Sequence, residues 1–139
     1  MIVNGENLIL GRLASHVAKL ALLGEEVSVV NCNNIIVTGS KSNIIKNYKR
    51  KITMGNPFYG PFFPKRPERI LKRSIRGMLP SKQPRGREAL SIVKCYNDLP
   101  ENVKVEEMVT FEDANVKKNK TLKFMKLIDI CKEIGKYGK

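Results

Sequence analysis

Apolar positions along the first third of the chain alternate between two spacings. Over residues 11–24, GRLASHVAKLALLG, Leu13, Val17, Leu20 and Ala21 recur at i, i+4, i+7 and i+8, while Arg12, His16 and Lys19 share the opposite arc. That predicts an amphipathic helix, with Gly24 at the position of a C-terminal glycine. The runs VSVVN from Val27 and IIVTG from Ile35 are short and β-branched, as in buried strands. Gly39-Ser40-Lys41-Ser42 then reads as a turn, with Ser42 as N-cap of a helix through Ile45, Tyr48 and Ile52, and with Lys46, Lys49 and Arg50 turned away from that line.

The pattern breaks over residues 53–67, TMGNPFYGPFFPKRP, whose four prolines suit neither a helix nor a central strand. This is an arm or extended loop. A helix is predicted over residues 68–79, with Pro67 in its first turn and Pro80 as its stop. Leu71, Ile75 and Met78 line one side, and Arg69, Lys72, Arg73 and Arg76 fall at i, i+3, i+4 and i+7 on the other. Residues 86–89 begin a further helix and residues 91–96 read as a strand. Residues 101–113 are acidic without a period, and the tail from residue 121 to 135 resumes helical spacing through Phe124, Leu127, Ile128 and Ile134. Alternating strands and helices without repeats or a linker predict one small α/β domain, residues 1–139, with a largely parallel sheet.

Composition changes this picture at one point. The net charge is +13, and residues 41–94 hold fifteen Lys and Arg against only Glu68 and Glu88, so all of it lies there. Exposed charged faces normally mix signs, and four like charges on one helical face repel. A polyanionic partner resolves both facts, and arginine's planar fork suits phosphate. Without zinc-finger spacing, an RNA-binding aromatic motif or a basic zipper, recognition by phosphate backbone and shape is expected, which favours structured RNA over sequence-specific DNA.

Other chemistry finds little support. Gly39-Ser40-Lys41-Ser42 fails the phosphate-loop spacing, because Asn34 stands where the first glycine is needed and Ser40 separates Gly39 from Lys41. An ordinary strand-to-helix turn, touching a backbone phosphate through its N–H groups, is the stronger reading, with a small nucleotide-dependent enzyme as the alternative. His16 is the only histidine, and acids are absent between Glu26 and Glu68, so neither a metal site nor a carboxylate pair has a clear home. Cys32, Cys95 and Cys131 are odd in number and widely spaced, which argues against a disulfide framework or zinc and for a reducing compartment. The opening segment carries Glu6 and no basic flank, unlike a secretory leader, and no apolar run matches a membrane span. For Phe58, Tyr59, Phe62 and Phe63 two readings stand: stacking on unpaired bases, or packing on the domain's own core.

LILGRLASHVAK, VVNCNNIIVTGSK and above all GPFFPKRPERILKRSIRGMLPSKQPRGREAL resemble the L-thirteen family of large-subunit ribosomal proteins in its archaeal form, with RGMLP (residues 76–80) the most specific block. The resemblance runs from Val3 to Tyr96, and the tail is similar to the C-terminal helix of archaeal and eukaryotic members. It implies a three-layer α/β/α fold around a small parallel sheet. It also implies a structural constituent of the large subunit, located in the cytoplasm, with a role in assembly and no enzymatic activity, cofactor, small-molecule substrate or membrane partner. The implied partners are large-subunit rRNA and neighbouring ribosomal proteins; a regulatory RNA binder acting outside the ribosome is the alternative. Carried onto this chain, the RNA contacts concentrate on Arg69, Lys72, Arg73 and Arg76, and on Lys82, Arg85 and Arg87; Lys41, Lys46, Lys49, Arg50, Lys65 and Arg66 follow.

Overall fold

The structure, a computed structural model, describes residues 1–56, 58–119 and 122–134. β1 (Ile2–Asn4) leads through α1 (Leu10–Leu22) into β2 (Val27–Val30), and the two strands pair in parallel with Val3 opposite Val29. After β3 (Ile36–Thr38), α2 (Lys41–Thr53), α3 (Pro67–Met78) and α4 (Pro84–Ser91), β4 (Val93–Cys95) pairs in parallel with the far edge of β2. β5 (Met108–Val109) closes the other edge against β1, giving the parallel order β4-β2-β1-β5. The expected α/β architecture with a small, mainly parallel sheet is therefore present.

The register places Val3, Val27, Val29 and Val93 on one face of that sheet, all fully buried. They join one core with Leu13 and Val17 of α1 and with Leu71 and Ile75 of α3. Burying a side chain of that size is worth about 1.5–3 kcal/mol, so this face anchors α3 and fixes which way its other side points. A second ribbon pairs β3 antiparallel with β6 (Phe124–Lys126), which runs straight into α5 (Leu127–Glu133), and α2 packs with α5.

Several local expectations are corrected. α2 starts at Lys41 with Ser40, not Ser42, at its N-cap. Its buried line is Ile44 and Tyr48, while Ile45 and Ile52 are only half-buried. With two isoleucines side by side, helical spacing alone does not choose between them; packing against the core does. In α3 the inner side holds Ile70, Leu71 and Ile75, and Met78 is 46% exposed, its place taken by buried Leu79 just past the helix. Phe124 belongs to a strand and not to the C-terminal helix, because β3 offers residues 124–126 a free backbone edge; residues 121 and 135, the expected bounds of that helix, lie outside the described residues. The acidic stretch contributes β5 and short 3₁₀ turns, a strand of two residues being too short to show a period. Gly24 follows the end of α1 with φ +90°, as the sequence predicts. Among the described residues, no helix is long and apolar enough to cross a membrane.

Candidate nucleic-acid interface

α3 forms where it does because Pro67 fits its first turn and its N-cap residue Arg66 is extended, while Asn97 Oδ1 accepts the otherwise orphaned backbone N–H of Glu68 at 3.2 Å. With Ile70, Leu71 and Ile75 sealed into the core, Arg69 and Arg76 stand exposed and Lys72 and Arg73 keep half-buried stems between them. The arm lies alongside: its Phe62 and Pro64, with Leu90 of α4, wall a shallow groove along these four cations.

The root of the arm is clamped. Phe63 meets Tyr48 edge-on, with ring centroids 5.8 Å apart. The Arg73 guanidinium sits 5.1 Å from the centre of the Phe63 ring, and Lys51 Nζ lies 5.5 Å from the same ring and 5.0 Å from Tyr48. Each cation–π contact contributes about 0.5–1 kcal/mol at such sites and, more usefully here, holds a flexible cationic side chain in place. A second groove, between Lys51, Met54, Pro61, Phe63 and Arg73, flanks the other side of the arm, so Arg73 borders both. Of the four arm aromatics only Phe63 packs inward; Phe58, Tyr59 and Phe62 are 84%, 87% and 70% exposed. Pro57 lies outside the described residues.

The remaining sequence-selected cations are less concentrated. Lys46, Lys49 and Arg50 are exposed on α2, and Lys65 and Arg66 lead from the arm into α3. Lys82 stands exposed on the turn between α3 and α4 and Arg85 in the first turn of α4, where Gly86 lies against the Pro80 carbonyl. Arg87 Nε and Nη2 donate to the carbonyls of Ser81 and Lys82 at 3.3 and 3.1 Å, so its guanidinium braces this turn. Arg85 belongs to a separate shallow groove with Lys19, Leu23 and Met78, and Lys41 to another beside Phe124 and Lys126. Lys51, absent from the sequence selection, is brought to the arm; its signal was its place three residues after Tyr48, one helical turn along the same side.

Electrostatically the region is lopsided, with only Glu68 and Glu88 against fifteen Lys and Arg over residues 41–94. The one ion pair among the described residues joins exposed Lys118 and Asp113 at 3.9 Å, outside the basic segment. His16, on the polar arc of α1, stacks on Phe111 with centroids 4.6 Å apart and planes 11° from parallel. Among the described residues no group of three or more His, Cys, Asp or Glu is placed to hold a metal ion. The Gly39 turn connects β3 to α2 directly, with φ +128° at the glycine. Gly77 is open to solvent: a methyl there would meet nothing within 4 Å.

The family model for ribosomal protein L13 matches residues 1–102. The large ribosomal subunit protein uL13 of Methanosarcina barkeri is 42% identical over 135 residues, covering 96% of each chain. That of Methanocaldococcus jannaschii is 44% identical over 138 residues, again with 96% of each chain covered. The Archaeoglobus fulgidus protein of the same name is 39% identical over 138 residues, covering 99% of this chain and 88% of its own. The basic helix and the turn after it fall within the matched segment, and the chain belongs to the ribosomal protein L13 family, a family of structural proteins and not of enzymes.

Proposed function

We propose that this chain binds large-subunit rRNA through the cationic face of α3 and the adjoining arm, as one unit spanning residues 1–139, and that it helps the subunit assemble around that contact. Family membership makes it a structural constituent of the large ribosomal subunit, in the cytoplasmic ribosome. The observation that carries the finer reading is the row Arg69, Lys72, Arg73 and Arg76, held outward by a fully buried inner face and in no ion pair within 4 Å among the described residues. Phosphates relieve the mutual repulsion of such a row, and each one neutralised releases condensed counterions. Lys82 and Arg85 extend the charge past the helix, Lys46, Lys49, Arg50, Lys65 and Arg66 surround it, and neighbouring ribosomal proteins take up the remaining surface.

The test is substitution of Arg69, Arg73 and Arg76 together by alanine, with binding to purified large-subunit rRNA measured by filter retention. Each lost phosphate contact lowers the magnitude of the salt slope by about one, so the triple variant should lose about three and bind far more weakly, with an unchanged circular dichroism spectrum. Undiminished binding would place the interface elsewhere.

A further inference from the structure

We propose that the arm is a binding site for unpaired RNA nucleotides, whose bases stack on Phe62 and the neighbouring rings while Arg69, Arg73 and Arg76 hold the flanking phosphates. The inference rests on the rRNA reading above and adds to it which structural state of RNA this site takes.

Three aromatic rings in a row of five residues face water here: Phe58, Tyr59 and Phe62 are 84%, 87% and 70% exposed. Phe63 shows that the arm reaches the core, since it sits against Tyr48, so the outward direction of Phe62 is a consequence of the backbone and not of distance. That backbone is constrained. Asn56 and Gly60 exchange N–H···O bonds of 3.2 and 2.9 Å, and Asn56 Oδ1 accepts from the Phe58 N–H at 3.0 Å. Gly55 and Gly60, at φ +87° and +80°, supply the left-handed conformations the turn requires, and a Cβ at Gly55 would collide with the Gly60 carbonyl. The rings are thus presented by a built turn.

Charge decides what they are presented to. Phe62 shares its groove with Arg69, Lys72, Arg73 and Arg76, none of which makes an ion pair within 4 Å among the described residues. An apolar protein surface set against this groove would bury those cations without partners, at a heavy desolvation penalty. A paired RNA helix offers phosphates but hides the faces of its bases. An unpaired nucleotide offers both a π-face and a phosphate at adjacent positions, and aromatic rings interleaved with cations are the arrangement that binds it.

The experiment uses the full chain and two fluorescein-labelled RNA hairpins, each closed by a hexaethylene glycol linker in place of loop nucleotides and identical except that one carries a bulge of three unpaired nucleotides, with affinities read by anisotropy. The bulged hairpin should bind about tenfold more tightly. Phe62→Ala should remove that preference, lowering affinity for the bulged hairpin about tenfold relative to the fully paired one, and Phe62→Tyr should retain it. Since Phe62 is exposed, neither variant should alter the thermal melt. Equal binding of both hairpins by the unaltered chain, or a preference that survives Phe62→Ala, would overturn the inference and leave the rRNA reading standing. Failure of the unaltered chain to bind either hairpin or rRNA would overturn both.

Discussion

Tyr48 ties three parts of the molecule together, and burial leaves a measurable mark on it. Burial, with a smaller contribution from Cys131, pushes its phenol up to about 12, above the ordinary value near 10. The folded state therefore holds that proton more tightly than the unfolded one. Its stabilising contribution is complete below about pH 10 and is lost as pH rises through about 12. Absorbance at 295 nm should show one tyrosine titrating with the highest pKa, and Tyr48→Phe should abolish that last step; a step that survives would mean that the ring is not sealed against Phe63. The cysteines sort by the same physics. The hydrogen-bonding Cys32 thiol, assisted by Lys72 and opposed by burial, holds Cys95 below the usual thiol range, whereas burial pushes Cys131 up to about 12. Brief iodoacetamide treatment followed by mass spectrometry should find Cys95 modified first, and Lys72→Ala should slow it; prior labelling of Cys131 would contradict this. At Gly86 a Cβ would collide with the Pro80 carbonyl, so Gly86→Ala should cost about 1–3 kcal/mol in chemical denaturation while its neighbour Arg85 tolerates alanine.

At the level of elements, α3 carries the most information and was also the most legible. Two prolines bracket it, and a four-cation row opposite an apolar row is a strong signal even without a fold. What sequence could not resolve is the exact inner line: Ile70 is buried and Met78 is not, because the depth of each position is set by α1 and β4 packing against the helix. The same limit applies to β5 and β6, whose two and three residues are strands only because β1 and β3 offer them an edge. The division among the arm aromatics was equally hidden, since Phe62 and Phe63 are chemically identical neighbours and only the turn at residues 55–60 separates their fates. Ile75→Ala, which opens the buried side of α3, should destabilise the fold by about 2–5 kcal/mol. Gly77→Ala, on the open side near the end of the same helix, should stabilise it by up to about 1 kcal/mol. A destabilising Gly77→Ala would show that the helix does not continue through that residue.

Across the whole molecule, two gradients coincide. The parallel sheet and its helices bury a single apolar core, and the net charge of +13 gathers on the segment that this core holds outward. The segregation was visible in the sequence as a count; which cations converge was not. Folding brings Lys51 to the arm beside Arg73, turns Arg87 back on its own backbone, and leaves Lys41 and Arg85 in grooves of their own. On the proposed function this surface binds through phosphates, and its affinity then follows the counterions they release. The decisive measurement is the dissociation constant of the full chain for purified large-subunit rRNA across a potassium chloride series. With six to ten phosphates neutralised, affinity should fall by about 10³ to 10⁵ between 50 and 200 mM salt, linearly in log–log form. An affinity that stays constant over that range would contradict the account.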